Sequence, residues 1–163
     1  MNVRKKSQLQ EKSVAKEFGA KTVIASGSLW FADSDVRSDK FLIECKTTDK
    51  DFYSLKSSVW EKIEREADLD HMRIPLMVID IRDRRFMVFN PESFDTRLNE
   101  SYECSCDDMN AKSFRLTYSL LDEIEEDLEE RIWGKFFMIC GKKRHLLMFM
   151  RIEDFKEVYK GEL

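Results

Sequence analysis

Apolar positions along the chain switch period several times, and each switch predicts an element. Val14, Ala15 and Phe18 recur at helical spacing and Gly19 follows as a stop, which predicts a helix ending near Phe18. Glu11 lies three, four and seven positions before those residues and shares their stripe, whereas Glu17 falls off it and reads as solvated. Residues 21–25 read as a strand, broken by the small loop Ser26-Gly27-Ser28. An apolar run, Phe41-Leu42-Ile43, ends in Glu44-Cys45-Lys46, and with the turn at 37–40 it predicts a hairpin over 35–46. Residues 47–51 read as a polar loop.

Ser54 or a neighbour then caps a helix to about Leu69, with Leu55, Val59, Ile63 and Ala67 as its stripe and Trp60 alongside. After Pro75, 76–81 and 85–89 predict a hairpin around Arg82-Asp83-Arg84, followed by a short helix to Leu98. Residues 99–112 read as an exposed acidic loop and 114–118 as a strand. Leu121, Ile124, Leu128 and Ile132 form a helical stripe beneath an acidic face. A second hairpin, 136–139 and 145–150, and a helix over 152–159 close the chain. The unit 136–159 repeats the order of 76–98, so each unit is expected to extend or cover a sheet.

Composition narrows the classes. The chain has 163 residues, 42% apolar and 37% charged, which suits one domain with a real core. No apolar run is long enough to span a bilayer, and Met1 to Ser7 lacks the apolar stretch of a secretory signal. Cys45, Cys104, Cys106 and Cys140 read as reduced thiols of a cytoplasmic protein. Cys104-x-Cys106 with Cys140 and His145 fits no standard zinc spacing. The net charge of -4 is uneven: residues 99–130 carry 2 basic and 11 acidic side chains, and 131–163 carry 8 and 4. Nucleic-acid binding is therefore not excluded by the acidic total, because local patches decide it. Arg4, Lys5 and Lys6 read as a flexible basic arm. Lys62 and Glu66, four apart on a helix, read most simply as a surface pair, and the basic residues of the two hairpin turns as solvated.

The candidate chemistry gathers on the 41–46 strand. Alternation puts Leu42, Glu44 and Lys46 on one face. An acid and an amine at the end of a buried strand are costly unless they pair or bind something. With Asp35 nine residues upstream of Glu44, two carboxylates and a lysine can converge, a set suited to a hard divalent cation and a phosphodiester. A cross-strand ion pair with no chemistry is the competing reading.

The order of these features resembles the PD-(D/E)xK nuclease superfamily, and more narrowly its Holliday-junction-resolvase-type members, phage proteins among them. Gln10-Glu11, Val14-Ala15, Gly19, Ser26-Gly27-Ser28, Asp35-Val36, 41–48, Trp60, Lys62-Ile63 and Glu66-Ala67 carry the resemblance, with Ser34 standing where the family's name has proline. It spans residues 8–98. The resemblance implies an α/β restriction-endonuclease-like fold, a mixed central sheet flanked by helices, over 1–98; the residues beyond it, which the resemblance does not cover, read as an acidic cysteine-containing loop over 99–112 and a C-terminal α/β extension over 113–163. It implies Mg²⁺ or Mn²⁺ held by Asp35, Glu44 and the Cys45 carbonyl. Lys46 would orient or help activate water, and Glu11 would complete the acidic cluster. Ser26 or Ser28 would contact phosphate and Lys62 would lie near the site; apart from the resemblance, the basic arm of Arg4, Lys5 and Lys6 offers further DNA contacts as the alternative to a solvated terminus. The implied substrate is branched DNA and the implied assembly a homodimer, since symmetric cutting requires two sites. A nicking, flap or restriction-like nuclease and a non-catalytic binding module are the alternatives.

Overall fold

The computed structural model describes residues 3–23, 35–94, 111–120, 134–161 and 163. The predicted 99–112 loop (save 111–112) and the 121–132 stripe lie outside them.

Helix α1, Val3–Glu17, starts earlier than expected and takes in Arg4, Lys5 and Lys6. The expected flexible arm is thus helical. The stretch contains neither Gly nor Pro and is rich in straight-chain helix formers, so the helix propagates to its start. It ends as predicted: Gly19 adopts φ 57°. Ala20 N–H donates to Ala15 O at 2.8 Å and Gly19 N–H to Lys16 O at 3.4 Å, a Schellman closure.

Among the described residues seven strands form the main sheet. In chain order the strands are β1 (Lys21–Thr22), β2 (Val36–Arg37), β3 (Phe41–Thr48), β4 (Phe52–Lys56), β5 (Ile74–Ile81), β6 (Arg84–Phe89), β7 (Ser113–Thr117), β8 (Gly134–Cys140) and β9 (Arg144–Arg151). The large sheet runs β1-β2-β3-β5-β6-β9-β8, and β4 pairs with β7 apart from it. Among the described residues only β3 and β5 run parallel, joined through helix α2 (Ser57–Leu69); the other pairings are antiparallel. This mixed sheet with helices on both faces is consistent with the restriction-endonuclease-like architecture expected from the sequence.

Leu76, Met77, Val78 and Ile79 are fully buried, because β5 is covered on both faces, which is why its sequence is a continuous apolar run. One core, beneath α1 and helix α3 (Ile152–Val158), holds Ile43, Cys45, Val78, Phe89 and Phe155. The other, beneath α2 and the β4–β7 pair, holds Leu55, Trp60, Ile63, Ile79 and Phe137. The hairpins β5–β6 and β8–β9 meet through β6 and β9, so the two similar units extend one sheet.

Several local expectations fail for tertiary reasons. β3 continues through Thr48, so the polar loop begins later. Residues 52–56 form a strand and α2 starts at Ser57, because Tyr53 and Leu55 alternate inward and β7 supplies a partner some sixty residues away. Glu17 is not simply solvated: Arg85 and Lys156 reach it at 2.8 and 2.9 Å. Arg85 in turn is half-buried and donates to Asp80, Ser13 and Glu17, so it belongs to the α1 face rather than to a solvated turn. Glu66 is buried on the inward side of α2, so the pair with Lys62 is no surface pair.

Candidate active site on strand β3

β3 presents Leu42, Glu44 and Lys46 to the α2 side and Phe41, Ile43 and Cys45 to the α1 side, as period-two alternation requires. Glu44 is only 8% exposed. Lys46 Nζ lies 2.5 Å from Glu44 Oε1. The β2 ladder along β3 ends at Val36–Ile43. Just beyond it, Asp35 takes over the edge: its Oδ2 accepts the Cys45 N–H at 2.8 Å. A side-chain carboxylate thereby replaces the strand carbonyl that would otherwise continue the ladder. Within a strand a residue's N–H and C=O leave along the same edge, so the Cys45 carbonyl faces the edge that Asp35 occupies.

The electrostatics follow. Burial pushes the Glu44 carboxyl above its ordinary range and the Asp35 charge adds to the push, against the opposing pull of Lys46 and Lys62. For Lys46, burial disfavours the charge, but the bond to Glu44 and the charges of Glu44 and Asp35 outweigh it and raise its pKa. Burial, then Asp35, Glu11, Glu44 and Asp80, hold the Cys45 thiol protonated. The Asp35 charge therefore acts on both Glu44 and Lys46, which also act on each other. Glu11 stands on the other side of the strand, acting on the Cys45 thiol and accepting from Ser7 Oγ at 3.3 Å.

Other expected contacts distribute as follows. Lys62 is partly exposed on α2, 3.6 Å from Glu66, and its charge reaches Glu44. Lys6 pairs with Asp49, just past the end of β3, which sets the first turns of α1, with the exposed Arg4 and Lys5, at the same end of the strand as Lys46. Ser26 and Ser28 lie outside the described residues, as do Cys104 and Cys106. His145 is buried with its two ring nitrogens 3.3 and 3.4 Å from Glu61 and Glu64, an arrangement that ties the β8–β9 turn to α2.

Three neighbours were given no catalytic or binding role from the sequence, although Gln10 and Glu66 are among the residues that carry the resemblance. Gln10 is buried and its Nε2 donates to Lys46 O at 2.8 Å and Val78 O at 3.4 Å, bridging β3 and β5 beside the site. Its position one turn before Val14 was the available signal. Tyr53 feels both Glu44 and Lys46, with burial pushing its phenol upward; only a strand reading of 52–56 would have turned it inward. Glu66 lies three residues after Ile63 on the buried stripe.

Two carboxylates beside a strand-edge carbonyl are hard oxygen donors, the type that suits Mg²⁺ or Mn²⁺, and a cation would relieve the repulsion between Asp35 and Glu44. Among the described residues no group of three or more His, Cys, Asp or Glu side chains comes together as a metal cage. No described helix is long and apolar enough to cross a membrane.

No family model matches the chain, and no curated protein matches it. Among solved structures the chain is similar to Hjc of Archaeoglobus fulgidus, described as a Holliday junction resolvase from an archaeal hyperthermophile. The TM-score is 0.42 at 16% identity, covering 69% of this chain and 88% of that one.

Proposed function

We propose that the protein is a metal-dependent DNA endonuclease that hydrolyses phosphodiester bonds, with branched DNA as its substrate. The observation that carries the reading is the 2.8 Å bond from the Cys45 N–H to Asp35, which holds that carboxylate where its charge acts on both Glu44 and Lys46. In this reading Asp35, Glu44 and the Cys45 carbonyl hold Mg²⁺ or Mn²⁺. When bound, such an ion lowers the pKa of an attacking water and offsets charge building on the phosphoryl oxygens. Lys46 orients or helps activate the water from the same face of β3. Glu11 adds negative charge behind the strand. Ser26 and Ser28 contact phosphate, Lys62 draws the DNA backbone toward Glu44, and Arg4, Lys5 and Lys6 do so from the start of α1. A homodimer supplies the second site for paired cuts.

The test is cleavage of matched linear, nicked, flap and four-way-junction DNA with Mg²⁺ or Mn²⁺, with Lys46→Ala and Glu44→Gln alongside. Expected is cutting of the junction by the wild type, with both variants folded and inactive. Folded wild type that cuts none of the four overturns the reading in favour of a binding module. Cutting that prefers linear, nicked or flap DNA keeps the nuclease and removes the branched substrate.

A further inference from the structure

An open cleft of about 380 Å³ lies at the β1–β2 edge of the sheet, lined by Lys21, Arg37, Ser38, Asp39 and Arg73 among others. The pairings Lys21↔Arg37 and Arg37↔Leu42 are direct antiparallel partners, so their side chains share a face. Leu42 shares that face with Glu44 and Lys46 by strand alternation. The cleft therefore opens on the same side of the sheet as the candidate site. Leu42 and Glu44 are two residues apart, about 7 Å along β3.

Its charges do not balance. Asp70, at the end of α2, is 5% exposed, and two guanidiniums converge on it. Arg73 pairs with its carboxylate and donates to Asp70 O at 2.9 Å and Ser38 O at 2.6 Å. Arg37 Nε lies 2.8 Å from Asp70 Oδ2, but off the N–H direction. Among the described residues neither Nε nor Nη2 of Arg37 has a hydrogen-bond acceptor; both are shielded from solvent, so an anion in the cleft engages them only with a shift of the Arg37 side chain. Lys21 adds a third cation and Asp39 one acid, so three cations face two acids. Ser38 Oγ accepts from the Phe41 N–H at 2.9 Å, which leaves its O–H to donate. A partly buried surplus of positive charge is unfavourable without a counter-charge. The guanidinium fork suits the oxygens of phosphate.

We propose that this cleft is an oxyanion site that takes a backbone phosphate of the DNA, flanking the phosphate placed at Glu44 and Lys46. The DNA as source of the phosphate rests on the proposed function; the oxyanion chemistry rests on Lys21, Arg37 and Arg73 alone.

The experiment is fluorescence anisotropy of a labelled four-way junction and of a linear duplex with the full chain in EDTA, so that nothing is cut, over a salt series. Arg37→Gln is expected to weaken binding of both DNAs about tenfold, in line with the loss of a charged hydrogen bond. Lys21→Gln, at an exposed position, is expected to weaken it uniformly and to lower the salt slope by about one. Inorganic phosphate is expected to raise the melting temperature of the wild type and of Glu44→Gln, but not of Arg37→Gln. If Arg37→Gln does not fold, Lys21→Gln decides alone. Unchanged affinity and slope in the folded variants overturn the proposal, and so does phosphate binding with DNA affinity indifferent to both substitutions. DNA binding that depends on Arg37, in a wild type that cleaves nothing with Mg²⁺ or Mn²⁺, removes the nuclease reading and leaves this site standing.

Discussion

Asp35 is the residue on which the site's geometry turns, and two substitutions separate its roles. Its Oδ2 accepts the N–H of Cys45, a residue only 3% exposed. Asp35→Ala leaves that amide without this acceptor. A hydrogen bond to a charged group contributes about 1.5–3 kcal/mol net. Relief of the repulsion against Glu44 returns part of this, so the expected loss is about 1–3 kcal/mol. At about 2–4 °C per kcal/mol for a chain of this size, the melting temperature should fall by about 2–12 °C. Asp35→Asn keeps an oxygen for the amide while removing the charge, so its stability should stay within about 1 kcal/mol of wild type. Both variants should lose cleavage under the proposed function. Thermal and urea unfolding in EDTA, followed by circular dichroism, measures the difference, and hydrogen exchange at the Cys45 amide localises it: faster in Ala, near wild type in Asn. Equal stability of the two variants, with unchanged exchange, would show that Asp35 does not hold this amide. The convergence of Asp35 with Glu44 would then fail with it.

Two further outcomes follow from the same neighbourhood. The folded protein holds the Glu44 proton more tightly than the usual carboxyl, whose pKa is 4.5, because of burial and the Asp35 charge, so ionising Glu44 subtracts stability as pH rises above that value. Wild type should lose ground to Glu44→Gln with rising pH in urea titrations run in EDTA; a gap that shrinks with pH reverses the argument. Gln10→Met removes two donated bonds, the short one to Lys46 O worth about 1 kcal/mol and the long one to Val78 O less, but also a buried Oε1 with no partner among the described residues, whose desolvation costs about 1–3 kcal/mol. Its unfolding midpoint should hold or rise, and a drop of more than about 1 kcal/mol would mean that the oxygen is satisfied in solution.

What the sequence determined by itself was local. A strand's two-residue period makes Glu44 and Lys46 share a face whatever lies opposite. A glycine after an amphipathic stretch stops α1, and continuous apolar runs announce strands covered on both sides. These depend only on backbone geometry and on the side chains of one segment. Tertiary structure decided which distant groups those faces meet. Period alone could not tell the alternating residues 52–56 from the start of a helix, because the β7 ladder that settles the matter arrives much later in the chain. Nor could it show that a glutamine on α1 would bond Lys46 O, or that Arg37 and Arg73 would share one aspartate. The Gln10–Lys46 and Arg37–Asp70 contacts join residues far apart in sequence, and only the hairpin registers and the crossover through α2 bring them within hydrogen-bonding distance.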